Sequence, residues 1–159
     1  MRRRFIAAVL AGGLFGAAAD LWVACTLSGL PLLTIGKAVA RGWFGRERAM
    51  AGGLDVALIG LASHFAIVLV AAALFTAAAI RQPGLRRLWY VTGPLYGATI
   101  FCVMRFMVLP LSAAGYSMPK PPGLYWEIAG HLFLVGLPIA FATRWFIDHE
   151  RRDIAENPR

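Results

Sequence analysis

Five residues in this chain place ionisable side chains inside apolar surroundings: Asp20, His64, Arg105, Glu127 and His131. The plainest case is "GATIFCVMRFMVLPLSA", residues 97 to 113, in which Arg105 carries the one formal charge. A guanidinium keeps that charge at any physiological pH and matches a carboxylate bidentately, so Arg105 is expected to pair with Asp20 or Glu127. Histidine titrates near neutral pH and a buried carboxyl can be raised toward it, so Asp20, His64, Glu127 and His131 could relay protons. His64 and His131 are also a donor pair of the kind that holds b-type haem.

Other chemistries find no support. The chain has no nucleophile elbow, metal-binding helix motif or phosphate-cradling glycine loop. Ser63 and His64 are sequence neighbours, so on a helix their side chains point about 100° apart and make no dyad. Cys25 and Cys102 are too few for a disulfide framework and have no metal-ligand spacing. The residues thus predict no catalytic group, no metal site and no resident cofactor, with a haem between the two histidines as a lesser alternative.

The five residues must be positioned by the segments that carry them. Of 159 residues, 59% are hydrophobic and only 15% charged, and mean hydropathy is +0.66. A soluble domain holds about a quarter charged residues, so the excess apolar content indicates a membrane protein. Four blocks, about residues 5–24, 56–80, 88–111 and 124–147, approach or exceed the roughly 20 residues that cross a hydrocarbon core. Backbone amides in lipid must be satisfied within their own segment, so each block is expected to be a helix. The fold class is therefore an all-α polytopic membrane protein, a single four-helix domain over residues 1–159.

The connections differ. "RQPGLRR", residues 81–87, is a short basic hairpin, and "SAAGYSMPKPPG", residues 112–123, is a proline-stiffened loop. The first connection is too long and apolar for a turn. Within about residues 30–43, Leu32, Ile35, Val39 and Trp43 share one helical face opposite Lys37 and Arg41, which predicts a helix lying in the interface. The C-terminal tail, 148–159, reads as solvated and frayed.

The net charge of +8 follows arginines that flank apolar blocks, with no basic face interleaved with aromatics, so it argues for topology and not for nucleic acid. With the N-terminus cytoplasmic, ten basic residues (Arg2–Arg4, Arg81, Arg86, Arg87, Arg144, Arg151, Arg152, Arg159) lie inside. Five (Lys37, Arg41, Arg46, Arg48, Lys120) lie outside. Both termini are expected in the cytoplasm. The opening "MRRRFIAAVLAGGLFGAAAD" also resembles a cleavable signal peptide, but hydrophobicity continues through "LWVACTLSGLPLL" and makes a full span.

Counting about 1.5 Å per residue from the outer helix ends puts all five ionisable residues roughly 5–12 Å below the outer edge. The helical faces expected to meet there are Gly13, Gly16 and Asp20; Ala57, Gly60, His64 and Ala71; Ala98, Phe101 and Arg105; and Glu127, His131, Leu134 and Pro138. A charge at mid-helix costs about 2.5–3.5 kcal/mol on insertion scales, so these groups should face one another.

Residues 52–75 ("GGLDVALIGLASHFAIVLVAAALF"), 95–113 and 130–140 ("GHLFLVGLPIA") resemble a group of short, uncharacterised bacterial inner-membrane proteins, the YagU-like family. The resemblance implies a four-helix inner-membrane fold and brings no activity with it. Members often carry asparagine where this chain has Arg105, which favours a tuned polar contact at that position. The function expected is a non-catalytic structural or interaction component that touches membrane lipid, with a homo-oligomer or a membrane-protein partner. Small residues on the helix faces permit such close packing. A small transporter or proton conductor is the alternative.

Overall fold

The computed structural model describes residues 2–115 and 118–156, with side chains described through Asp148. Four helices are long and apolar enough to cross a membrane: Arg2–Ser28, Leu54–Arg81, Trp89–Leu111 and Gly123–Asp148. The first is α1 (Arg2–Ser28). It is followed by two shorter helices, α2 (Leu32–Phe44) and α3 (Arg46–Ala51), and by the second span, α4 (Leu54–Arg81). The short α5 (Pro83–Arg87) turns the chain into α6 (Trp89–Val103), a π-helical turn Met104–Val108 and α7 (Leu109–Leu111), which together form the third span. The fourth comprises α8 (Gly123–Ala129), a π-helical turn Gly130–Gly136 and α9 (Leu137–Glu156). The tail expected to fray from 148 onward continues this helix through Glu156; residues 157–159 lie outside the described residues, as do 116 and 117 of the preceding loop.

Span α1 packs against both α4 and α9, and the third span packs on the fourth. Three glycines of α1 divide the work. Gly13 meets Leu69 and Ala72 of α4, Gly12 meets Ile139 and Ala142, and Gly16 meets Leu134 and Val135. The buried core is correspondingly small-residue-rich: Ala17, Val68, Ala72, Phe75, Ala79, Val135, Ile139 and Ala140. This is how helices associate where lipid tails are as apolar as leucine: close backbone approach and van der Waals contact replace the hydrophobic drive. Large side chains such as Phe15, Trp22, Val70, Leu74 and Leu95 are exposed on the outside, where acyl chains would cover them.

The predicted faces need three corrections. Ala57 and Gly60 turn away from the four-span core and pack on α2, where an added Cβ at Gly60 would fall on the Gly36 carbonyl oxygen. On the fourth span the inward line does not run from His131 through Leu134 and Pro138. It passes to Val135 and Ile139, 2% and 1% exposed, while Pro138 lines an outer groove. The π-turn at Gly130–Gly136 is the reason: an extra residue per turn carries the inward face one position along. On the third span, Gly93 and Gly97 do the packing expected of Ala98.

Helix α2 forms over the stretch where an amphipathic helix is predicted, but its docked edge is Gly36 and Ala40, both buried against α4. Trp43 is exposed, and its indole N–H donates to Ser63 Oγ at 2.9 Å. The Ala113 amide donates to Gly42 O at 3.0 Å, so the end of the third span is tied to α2.

At the opposite end of the bundle, Arg86 is only 3% exposed. Its Nε donates to Asp148 Oδ1 at 2.5 Å and its Nη1 to Ala79 O at 2.6 Å, so it joins α5 to α4 and α9. Sequence reading counts Arg86 for orientation alone. Hydrogen bonds to charged groups contribute about 1.5–3 kcal/mol each, so Arg86→Ala should destabilise the protein by about 2 kcal/mol in detergent unfolding. Arg87→Ala, at an exposed position, should stay within about 0.5 kcal/mol. Equal effects would show that the Arg86 contacts contribute nothing. Between the spans, Thr76 and Thr143 are fully buried and share a 2.8 Å hydroxyl–hydroxyl hydrogen bond linking α4 to α9.

Candidate functional site

The ionisable residues gather in two sets on the half of the bundle nearer α2. In the first, α1 brings Asp20 and α4 brings His64. His64 Nε2 lies 3.8 Å from Asp20 Oδ2 and 3.1 Å from Ala17 O. A carbonyl oxygen can only accept, so the nitrogen facing Ala17 carries a proton. The histidine is thereby held on the glycine-alanine face of α1, one helical turn from Asp20.

In the second set, the third span brings Arg105 and the fourth brings Glu127 and His131. Arg105 Nη2 donates to Glu127 Oε1, which makes Glu127 the partner and not Asp20. The guanidinium is 6% exposed and also stands over the Phe101 ring, 5.8 Å from its centroid. Phe101 in turn meets the His131 ring edge-on at 5.6 Å. His131 Nδ1 donates to Glu127 O at 2.9 Å, a carbonyl that also accepts from the Gly130 amide. Arg105, Glu127, His131 and Phe101 thus form one cluster across two spans.

Gly130 connects the two sets. A Cβ there would stand 3.2 Å from Asp20 Oδ1, so the Asp20 carboxylate abuts the fourth span beside His131. All five predicted residues therefore lie in one layer, with direct polar contacts within each set and this van der Waals approach between them. Cys25 and Cys102 are free thiols, the second exposed. Among the described residues, no group of three or more His, Cys, Asp or Glu side chains is placed to hold a metal ion. An iron ligated through His64 Nε2 would have to displace the Ala17 carbonyl.

Both π-turns fall in this layer: Met104–Val108 contains Arg105, and Gly130–Gly136 begins beside Glu127 and contains His131. A π-turn widens the helix by one residue and re-aims the side chains around it, and such turns recur where side chains are functionally placed. Here they let Arg105 and Glu127 meet while Gly97 and Gly136 stay in close backbone contact below. Sequence periodicity cannot reveal them, because helices apolar on nearly every side carry no amphipathic stripe whose shift would mark a single inserted residue. No protein-family model matches the chain, and no curated protein or solved structure matches it either.

Proposed function

We propose that the protein is a non-catalytic structural or interaction component of a bacterial inner membrane, with both termini cytoplasmic and α2 lying in the outer interface. On this reading it is a YagU-like protein. The polar layer is an internal fastening that fixes the register of four small-residue-rich helices. Exposed apolar helix faces then contact lipid, a second copy or another membrane protein.

The observation that carries this reading is the matching of the ionisable groups to one another and to the backbone: Arg105 to Glu127, His64 to Asp20 and Ala17 O, and His131 to Glu127 O. Below the layer, helices meet through glycine and alanine and through the Thr76–Thr143 bond, a contact surface with no chain of titratable groups among the described residues to continue a path.

Proton or ion conduction is the second reading, favoured by the two π-turns that frame Arg105 and His131. Purified protein in liposomes, carrying a pH-sensitive dye and a proton gradient, separates the two. The fastening reading predicts dissipation at the rate of empty liposomes, unchanged in a His64→Ala/His131→Ala variant. Dissipation that the wild type accelerates and the double variant abolishes would replace it with conduction.

A further inference from the structure

The second and third spans do not close on each other along their length. They leave a groove of about 670 Å³ whose walls include Val70, Leu74 and Ala78 on α4 and Leu95, Tyr96 and Val103 on the third span. Phe75 and Tyr96 meet at a ring separation of 5.0 Å, and the Tyr96 hydroxyl is taken up by Ala71 O at 2.8 Å. Thr92 Oγ1 donates to Leu85 O at 2.5 Å. Thr99 Oγ1 donates to Leu95 O at 2.9 Å, so the hydroxyls of the groove are taken up by backbone carbonyls and its surface is chiefly apolar.

One end of this groove is closed by α5, which joins the two walls and contributes Leu85 to the lining. That end is strongly basic. Arg81 follows Leu74 and Ala78 on the same face of α4, and Arg87 stands at the end of α5; both are exposed. Arg86 between them is occupied by Asp148 and Ala79 O. The wall from Ile67 to Ala78 runs about 16 Å at helical rise, roughly half of a 30 Å hydrocarbon core and so the depth of one leaflet.

From this juxtaposition we infer that the groove is a binding site for an anionic phospholipid, its acyl chain lying between the second and third spans and its phosphate held by Arg81 and Arg87. An apolar slot one leaflet deep selects a chain. Two exposed arginines at the end that α5 closes select a negative headgroup, as basic pockets between spans do on the anionic face of a membrane. Zwitterionic lipid fills the same slot without the charge term. The assignment is independent of the role of the polar layer, which lies toward the other end of the bundle.

Native mass spectrometry of the full chain in neutral detergent tests it, with phosphatidylglycerol or phosphatidylcholine added at equal concentration. The wild type should retain phosphatidylglycerol at least about tenfold more strongly, given a contribution near 1 kcal/mol from each arginine. Arg81→Gln/Arg87→Gln should remove that preference and Arg81→Lys should keep most of it. Ala78→Trp, which fills the charged end of the groove with both arginines intact, should weaken retention of both lipids. Arg144→Gln, an exposed arginine on α9, should change nothing. Equal retention of the two lipids by the wild type would overturn the inference. So would a loss in Arg144→Gln as large as in the Arg81/Arg87 variant, or full retention by Ala78→Trp.

Discussion

Glu127→Ala should destabilise the protein by about 3 kcal/mol in reversible detergent unfolding, the largest loss from any single side chain of the polar layer. The magnitude follows from what is left behind. Arg105 is 6% exposed, over the Phe101 ring and between two spans, and breaking a buried pair by removing one partner typically costs about 3–5 kcal/mol because the remaining charge loses its counter-charge. The decisive comparison is the double variant Arg105→Met/Glu127→Leu. It removes both charges with nearly equal volume and should recover to within about 1 kcal/mol of the wild type, since a buried ion pair contributes little net stability over apolar packing. A double variant as unstable as Glu127→Ala would mean that Glu127 acts through something other than Arg105.

Gly97→Ala should be comparably damaging for a different reason. An added Cβ at Gly97 would collide with the His131 carbonyl oxygen and press on Leu132 Cα, and at the facing position Gly136 would collide with the Gly93 carbonyl oxygen. These obstacles are backbone atoms, so no rotamer change relieves them and the third span must move off the fourth. Overpacking of this kind costs about 1–3 kcal/mol and occasionally more, and here the displacement also pulls Arg105 from Glu127. We expect about 3 kcal/mol, read as a fall in thermal midpoint in detergent. Gly123→Ala, where a Cβ meets nothing within 4 Å, is the control and should be near neutral. Matching losses at the two positions would contradict the close approach at Gly97.

The spans were legible because membrane thickness fixes how long an apolar helix must be: expected segments at about 5–24, 56–80, 88–111 and 124–147 sit within a few residues of helices Arg2–Ser28, Leu54–Arg81, Trp89–Leu111 and Gly123–Asp148. The layer was legible for a related reason, since charge in lipid is costly and must find a partner. Which partner was not. Asp20 and Glu127 have equal claims by depth, and the choice of Glu127 for Arg105 depends on the π-turns, which shift side chains without changing composition. The structural role of Arg86 was not legible, because an arginine at a span end looks the same in sequence whether it faces water or is folded back onto Asp148 and Ala79. On α2 the apolar stripe from Leu32 to Trp43 drew the eye, yet Gly36 and Ala40 make the contact. Without side chains to bury, such small pairs become visible as an interface only when the facing Gly60 is in place.

The central claim is that ionisable residues from all four spans share one layer, and the step between its two sets, Asp20 to the fourth span, tests it most directly. With Cys25 and Cys102 replaced by alanine, Asp20→Cys and Gly130→Cys should place two thiols within disulfide reach, and oxidation in native membranes should join them. After proteolysis in the loop between the first and second spans, the joined fragments should run together without reductant and separate with it. Fragments that separate in both conditions, while both thiols remain open to alkylation, would place Asp20 away from the fourth span and leave two unconnected polar pairs where a single layer is claimed.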